Sequence, residues 1–234
     1  MGDMVIDDAI LQAAKELVDI NPKIGRVEAA KALGVTDYKA RRAIEAARTE
    51  PIGPRIAYFD LETTDLIADF GIILIGSILS YPSMEMTTYR IDQTDTLKSE
   101  DYNISKLIRD KLEEHHITCG YYSKGFDIAF LNTRLVQNGH RKLKRHLHFD
   151  PIWYYRGWRG LKPRSSKMSV VAEYYGFEER KQKVDISVWR RASRGDSAAL
   201  DELVERCESD VRITARIAER TFENDLIANI QKYP

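Results

Sequence analysis

Cysteine is scarce in this 234-residue chain, and its scarcity limits the class of protein. Cys119 and Cys207 stand far apart in the sequence and outside any CxxC spacing. This argues against a disulfide scaffold and a cysteine zinc site, and it favours a reducing, cytoplasmic setting. The histidines add no zinc-like pattern, because the pair at 146 and 148 has no Cys or third His at a suitable spacing.

Long hydrophobic runs and an excess charge of either sign are also missing. The longest apolar run, "FGIILIGSIL", is about half of the ~20 residues that cross a bilayer. The start of the chain has no basic signal-peptide segment, so we expect no targeting or membrane segment. The 36 basic and 36 acidic residues cancel, so composition alone indicates no nucleic-acid or membrane partner. No P-loop, GxGxxG or GxSxG motif supports nucleotide or serine-hydrolase chemistry.

A change of pattern near residue 50 predicts two domains. The stretch "TEPIGP" has two prolines and a glycine in six residues, which is typical of a linker. Residues before it have a helical period, and strand-like runs begin after it. We therefore predict a helical domain over residues 1–50, a linker over 51–54 and a second domain over 55–234.

The first domain resembles a helix-turn-helix. A short helix containing Ala29 and Ala30 is expected to end at Gly34, and Thr36 can cap a second, basic helix. That helix carries the candidate DNA contacts Lys39, Arg41 and Arg42. Two hypotheses stay open. One is a module that binds duplex DNA, and the other is a three-helix packing or dimerisation module for a protein partner, whose Arg and Lys side chains are only a solvated face.

The second domain has the pattern of an α/β protein. Three β-rich runs, "RIAYFDLET", "FGIILIGSILSY" and "MEMTTYRI", follow one another closely and predict an antiparallel meander. Helices around 104–115 and 127–137 then alternate with strands at "ITCGYYS" and near "HLHFDPIW", and further helices follow. This order predicts a mixed sheet with helices on its faces.

Two carboxylates interrupt the first apolar strand. Asp60 and Glu62 are two residues apart, so in an extended strand their side chains point to the same face. Two neighbouring, half-buried anions are costly unless a positive charge lies between them. The simplest candidate for that charge is a metal ion.

Two further acidic positions complete an ordered set. Asp127 follows a strand in "YYSKGFDIAFLNTR", where it could also be a simple N-cap, and Asp210 lies in the helix "ELVERCESDVRITARIAER". With "FDLETT" these segments resemble the three motifs of the ribonuclease-H-like exonuclease family, which has four acidic residues, Asp-Glu-Asp-Asp. The resemblance covers residues 55–225, and it is nearest to predicted nucleases related to the proofreading domain of family B DNA polymerases.

The resemblance implies a fold, a reaction and a cofactor. The expected fold is a ribonuclease-H-like mixed sheet, an antiparallel meander followed by parallel strands. Two Mg²⁺ or Mn²⁺ ions would be held by Asp60, Glu62, Asp127 and Asp210, with Asp60 bridging them, and would assist phosphodiester hydrolysis. The implied activity is 3′ to 5′ exonucleolytic release of nucleoside 5′-monophosphates from DNA.

One position departs from the family. Relatives usually place a Tyr four residues, or a His five residues, before the last Asp, whereas this chain has Arg206 and Glu205 there. An arginine cannot accept a proton, although it can donate hydrogen bonds to phosphate. Either the metal site suffices, another residue substitutes, or activity is weak.

A basic segment with interleaved aromatic residues predicts a path for a single strand. From Arg141 to Arg194 there are 15 Lys and Arg against 5 Asp and Glu. Within it "DPIWYYRGWRGLKPR" alternates rings with cations, a composition that suits stacking on bases and contact with phosphates. Read as an extended segment, it would turn half of its aromatic residues into the core. The predicted nucleic-acid contacts are Thr63, Phe126, Arg134, Trp153, Arg156, Trp158, Arg159, Lys162 and Arg206.

The leading hypothesis is a metal-dependent 3′ to 5′ exonuclease whose partner is single-stranded DNA, with RNA as a further substrate class. Two alternatives stay open. One is a nucleic-acid-binding or assembly protein that keeps the scaffold with little catalysis, and the other is an endonuclease or ribonuclease with the same metal chemistry. The first alternative is motivated by Arg206 and by the helix-turn-helix pattern.

Overall fold

The computed structural model describes residues 8–49, 54–96, 99–156, 161–179 and 181–223. The chain divides into two compact units, Met1–Gly53 and Pro54–Pro234. Residues 51–53 of the expected linker lie outside the described residues. In the part of the chain that is described, no helix is long and apolar enough to cross a membrane.

The first unit is helical, with α1 at Asp8–Ile20, α2 at Arg26–Leu33 and α3 at Asp37–Thr49. Small side chains such as Ala14, Ala29 and Ala43 form much of its core, which lets the helices approach closely. The turn expected after α2 is present, with Gly34 at a φ of 63°, a left-handed conformation that suits glycine. The Thr36 hydroxyl accepts a hydrogen bond from the Lys39 amide (3.4 Å) at the start of α3. Binding of DNA or of a protein partner by this unit remains a prediction.

The second unit contains five strands and seven further helices among its described residues. The strands are β1 Ile56–Thr63, β2 Ile73–Tyr81, β3 Glu85–Arg90, β4 Ile117–Cys119 and β5 Leu147–Phe149. The helices are α4 Ile91–Thr94, α5 Tyr102–Leu112, α6 Asp127–Gln137, α7 Ile152–Arg156, α8 Met168–Tyr174, α9 Ile186–Ala192 and α10 Ser197–Glu223.

These strands form one sheet in the order β3-β2-β1-β4-β5. β1, β2 and β3 pair antiparallel, whereas β4 runs parallel to β1 and β5 parallel to β4. The predicted α/β class, with a meander followed by parallel strands and helices on the faces, is confirmed.

The two faces of β1 pack against different helices, which decides where its carboxylates point. Ala57, Phe59 and Leu61 join α5 and α6 in one core cluster. Ile56 and Tyr58 join Val211 of α10 in another. Because side chains alternate along a strand, Asp60 and Glu62 continue the face that Ile56 and Tyr58 turn toward α10.

β4 is shorter than the predicted strand at "ITCGYYS". It pairs with β1 only along Ile56–Tyr58, so residues 59–63 of β1 extend beyond it. The chain turns away at Gly120, where an added Cβ would lie 2.5 Å from Ser123 Cβ and 3.1 Å from the Phe59 carbonyl oxygen. A cleft therefore opens beside the carboxyl end of β1, where a register shift between Glu62 and Thr63 also marks a bulge.

Candidate metal centre

The acidic cluster is assembled from three elements. Asp60 and Glu62 come from β1, Asp127 is the first residue of α6, and Asp210 comes from the middle of α10. Asp60, Glu62 and Asp210 each offer an oxygen, and these oxygens lie within 4.8 Å of one another. In the described part of the chain, no other group of three or more His, Cys, Asp or Glu side chains meets this criterion.

Asp127 is not an N-cap, the alternative that its sequence context left open. The N-cap position of α6 is Phe126, and no side chain caps it. The Asp127 Oδ1 atom instead accepts a hydrogen bond from the Leu61 amide (3.1 Å), which ties the start of α6 to β1. Asp127 lines the same cleft as the other three carboxylates.

Burial and mutual repulsion raise the pKa of three of these carboxyl groups. The pKa of Asp60 lies well above its ordinary value because of burial and because Asp127, Asp210 and Glu62 surround it. The pKa of Glu62 is raised by burial, although Arg206 and Trp189 oppose the shift. Burial raises the pKa of Asp127 to about 7. A bound cation would relieve this repulsion.

The residues present fit a hard divalent ion. Their donors are carboxylate oxygens, which Mg²⁺ and Mn²⁺ prefer. The Oδ1 atom of Asp210 is buried and has no hydrogen-bond partner, which is costly unless that atom has another ligand. The prediction that this cluster can bind metal is supported by its geometry, whereas the identity and number of the ions remain predictions.

Three side chains that carry positive charge or an N–H donor surround the carboxylates. Arg206 Nε donates to Glu62 Oε1 (2.7 Å), and Trp189 Nε1 donates to Glu62 Oε2 (3.0 Å). The Lys181 ammonium pairs with Asp210 Oδ2. Cys207, one turn before Asp210, directs its thiol toward the Asp60 carbonyl oxygen (3.3 Å) from within the core.

A cleft of about 550 Å³ lies over the cluster. Besides the four carboxylates it is lined by Leu61, Thr63, Leu66, Tyr121, Tyr122, Gly125, Phe126, Lys181, Trp189 and Arg206. Apolar and aromatic side chains thus face the four carboxylates and the two cations Lys181 and Arg206. With a metal ion on the carboxylates, this arrangement would suit a ligand that carries both a phosphate and a base.

The predicted nucleic-acid contacts do not all lie at the cleft. Thr63, Phe126 and Arg206 line the cleft. Trp153 is half exposed, and the Arg156 guanidinium lies over the rings of both Tyr122 (4.8 Å) and Trp153 (5.6 Å), which connects it to the rim of the cleft. Lys162 is exposed, and Trp158 and Arg159 lie outside the described residues. The remaining set, Lys39, Arg41 and Arg42, lies on α3 of the first unit, where Arg41 pairs with Glu45.

Arg134 has a structural position and does not face the cleft. It is 5% exposed, and its guanidinium forms two hydrogen bonds with the buried carboxylate of Asp101 (both 2.8 Å). Asp101 also accepts a hydrogen bond from the Ile73 amide (3.0 Å), so the pair links α6 to β2. The prediction that Arg134 contacts nucleic acid is therefore wrong for this conformation, since its donors are already used.

The first part of the aromatic segment, Ile152–Arg156, is helical and not extended, and it forms α7. The rings of Trp153, Tyr154 and Tyr155 consequently do not alternate between two faces. Tyr155 is buried and its hydroxyl contacts Thr221 Oγ1 (2.8 Å), while Trp153 points outward. The start of this helix carries Pro151, which suits a first helical turn, and an Asp150 carboxylate near the Ile152 amide (3.4 Å).

Several side chains that line the cleft were not among the predicted site residues. They are Lys181, Trp189, Tyr121, Tyr122 and Leu66. No spacing in the sequence relates Lys181 or Trp189 to the acidic motifs, because both reach the site from the segment before α10. Their contacts depend on how that segment folds back toward β1. Tyr121 and Tyr122 adjoin the "KGFD" motif, so proximity in sequence was the available signal for them.

Comparisons with known proteins agree with this fold. Residues 57–222 match the family model described as the RNase_H superfamily. A family B DNA polymerase from the hyperthermophilic archaeon Pyrobaculum calidifontis has a similar structure, with a TM-score of 0.57 and 18% sequence identity over 74% of this chain. The matched region is 25% of the polymerase chain. No curated protein matches the sequence.

Proposed function

The chain belongs to the ribonuclease H superfamily, and from that premise we propose that it is a divalent-metal-dependent 3′ to 5′ exonuclease. Its substrate would be single-stranded DNA and its product nucleoside 5′-monophosphates. The observation that carries the proposal is the cluster of Asp60, Glu62 and Asp210, whose oxygens lie within 4.8 Å of one another in a cleft that Asp127 also lines.

Asp60, Glu62, Asp127 and Asp210 would hold the ions. Bound divalent cations would stabilise the charge that develops on the attacking and leaving oxygens of a phosphodiester. The protein itself supplies the low-dielectric walls around these carboxylates, which strengthen any charge interaction inside the cleft. Arg206, which stays protonated, would donate hydrogen bonds to a phosphate oxygen and would not act as a base.

The apolar side of the cleft supports a terminal nucleotide as the ligand. Tyr122 and Phe126 offer ring faces, and Leu66 is 81% exposed at the mouth. Stacking of a base on such a side chain contributes about 1–3 kcal/mol without regard to sequence. A volume of about 550 Å³ suits a small ligand such as one nucleotide. Arg156, stacked over Tyr122, would contact the next phosphates of a strand whose last base stacks in the cleft.

A second candidate is a nucleic-acid-binding protein that uses the same cleft with little catalysis. The observation that favours it is that both carboxylate oxygens of Glu62 already accept hydrogen bonds, one from Arg206 and the other from Trp189. Glu62 is then less available as a metal ligand. This candidate differs from the first in one measurable respect, because a binding protein would retain the oligonucleotide without shortening it.

The test is a cleavage assay with a 5′-labelled single-stranded DNA oligonucleotide in Mg²⁺ or Mn²⁺, with EDTA as a blank. The exonuclease produces a ladder that shortens from the 3′ end. Asp60→Asn, which removes a metal ligand at almost constant volume, should reduce the rate at least about a hundredfold. Asp69→Asn makes the same change at an exposed position outside the cleft and should leave the rate unchanged.

Other product patterns identify the alternatives. A few internal cuts would indicate an endonuclease, and cleavage confined to RNA or hybrid substrates would indicate a ribonuclease. An intact oligonucleotide that is shifted on a native gel would support the binding protein. No metal-dependent cleavage of DNA, RNA or hybrids would overturn the proposed nuclease.

A further inference from the structure

Arg206 contacts four residues around the candidate metal centre. Its Nε donates to Glu62 Oε1 (2.7 Å), and its Nη1 donates to the Gln182 carbonyl oxygen (2.5 Å). Its Nη2 lies 3.8 Å from Asp210 Oδ2, and its Cζ lies 5.2 Å from the centre of the Trp189 ring. The side chain is 14% exposed, so water screens these interactions only weakly.

The same oxygens are the proposed metal ligands. Both oxygens of Glu62 are engaged, one by Arg206 and the other by Trp189. Asp210 has Oδ2 paired with Lys181 but Oδ1 without a partner. Among the described residues, no Lys, Arg or His forms a salt bridge with Asp60 or Asp127. The four carboxylates are thus unequally available to a second cation.

We propose that Arg206 is a resident counter-cation of the metal centre that competes with a divalent ion for Glu62. This inference rests on the proposed function. The three carboxylates whose oxygens lie within 4.8 Å of one another, Asp60, Glu62 and Asp210, include Glu62. An ion that uses Glu62 binds only when Arg206 leaves it, whereas an ion that does not use Glu62 avoids this competition. The two ions therefore bind in unequal steps, and Arg206 sets the affinity of the weaker one.

Competition for Glu62 also couples metal binding to substrate. A phosphate group is an alternative acceptor for the Arg206 guanidinium, because arginine forms strong paired hydrogen bonds with phosphate. Arg206 would exchange Glu62 for the phosphate, and Glu62 would become available to the ion. Because coupling between two ligands is reciprocal, each would then increase the affinity of the other.

The first test is a calorimetric titration of the full chain, stripped of metal with EDTA and dialysed, with Mn²⁺. The Arg206→Gln variant should bind the Mn²⁺ ion of lower affinity at least about tenfold more tightly than the wild type does. Arg212→Gln is the matched control, since it removes the same charge from the same helix at an exposed position paired with Glu179 and Glu208. It should leave both Mn²⁺ affinities unchanged.

A second readout, the melting temperature, does not depend on the enzyme's activity. Removal of Arg206 leaves Glu62 buried without its ion pair, so Arg206→Gln should melt at a lower temperature than the wild type in EDTA. The difference should shrink or reverse in excess Mn²⁺. Arg206→Lys keeps the charge and tests the site if the glutamine variant does not fold. Its Mn²⁺ affinity and its melting temperature should both lie between those of the wild type and of Arg206→Gln.

Tryptophan fluorescence reports the displacement itself. Trp189 contacts both Arg206 and Glu62, so a bound divalent ion should change the emission of Trp189 as Arg206 leaves the ring. The measurement uses Mg²⁺, because this ion does not quench fluorescence. The Mg²⁺-induced change should be absent in Trp189→Phe and reduced in Arg206→Gln.

The outcomes separate this inference from the proposed function. A wild-type chain that binds metal and cleaves DNA, together with an Arg206→Gln variant whose metal affinity is unchanged or weaker, would overturn the competition and leave the nuclease intact. If neither the wild type nor the variant binds Mn²⁺, both proposals fail. Metal binding that appears only in Arg206→Gln would support the competition in its strongest form.

Discussion

His148 lies in a polar network inside the second unit. Its Nδ1 is 2.7 Å from Thr118 Oγ1 and its Nε2 is 3.0 Å from Ser123 Oγ, and both hydroxyls belong to fully buried residues. Burial lowers the pKa of His148 from 6.5 to about 4, and the nearby His146 and Lys124 add to the effect. The imidazole is therefore neutral near pH 7.

This low pKa predicts a loss of stability in mild acid. The folded state resists protonation of His148, so its contribution is complete above pH 6.5 and is lost as the pH falls toward about 4. The full effect corresponds to at most about 3 kcal/mol. Urea unfolding between pH 7.5 and 4.5 should show a smaller decrease for His148→Gln than for the wild type.

The exposed His116 supplies the control for this measurement, since His116→Gln should keep the wild-type slope. Some slope should remain in His148→Gln, because burial also lowers the pKa of His115. Equal slopes in the wild type and in His148→Gln would contradict the assignment.

At the scale of residues, the acidic positions were predictable and their partners were not. Asp60 and Glu62 stand out because a buried strand rarely carries two charges, and the strand period places them on one face. Arg134 shows the limit of such reasoning, since its basic side chain in a family-like motif suggested nucleic acid, whereas the buried Asp101 carboxylate accounts for it. Asp101 lies 33 residues away in sequence, and no local pattern connects the two.

The contact between β2 and α5 depends on the absence of a side chain at Gly76. A Cβ there would lie 2.3 Å from Ile108 Cδ1 and 2.7 Å from its Cγ1. Ile108 is fully buried, so it has little room to move away. Gly76→Ala should therefore lower the free energy of unfolding by about 1–3 kcal/mol through overpacking.

A double-mutant cycle tests this cause. Ile108→Ala alone should cost about 2–5 kcal/mol because it leaves a cavity. The double variant should be less destabilised than the sum of the single changes, since the new methyl group occupies part of that cavity. Strict additivity in chemical denaturation would show that the two positions do not compete for space.

At the scale of elements, prediction succeeded where local pattern and tertiary packing agree. β1 and β2 are buried along most of their length, and β3 contains Thr and Tyr, which favour strands. The helix α6 begins and ends as expected at Asp127 and Gln137. The shorter elements differ, because β4 ends at Cys119, just before Gly120, where the backbone must pass close to Ser123 and Phe59. The helix α7 was predicted as extended because its aromatic composition outweighed the helix-start signals of Asp150 and Pro151.

At the scale of the whole molecule, the division near residue 53 leads to a prediction about truncation. The core clusters around the sheet draw their residues from the second unit alone. A variant that starts at Pro54 should therefore melt cooperatively, and it should cleave a short single-stranded oligonucleotide within about threefold of the full-length rate. A truncated chain that is unfolded or inactive on this substrate would show that residues 1–53 complete the catalytic unit.

The superfamily was predictable from the sequence because three acidic motifs occur in a fixed order along one α/β pattern. The arrangement of charge was less predictable. The basic excess between residues 141 and 194 suggested a path for a single strand, but Arg141 pairs with Glu113 (2.6 Å) and Arg191 pairs with Asp196 (3.2 Å). Charge counts within a segment do not reveal which of its cations pair with carboxylates outside that segment.

The different lengths of β1 and β4 have a consequence for how this site tolerates change. The cleft exists because β1 continues past the last residue of β4, and no single side chain creates it. Point substitutions along the walls should therefore alter which substrate fits while leaving an opening in place. Insertions or deletions around residues 119–121 should act differently, because a longer β4 would cover the backbone of residues 59–63. Variation in the length of this turn, more than variation in its composition, is thus the change that would close the cleft or widen it.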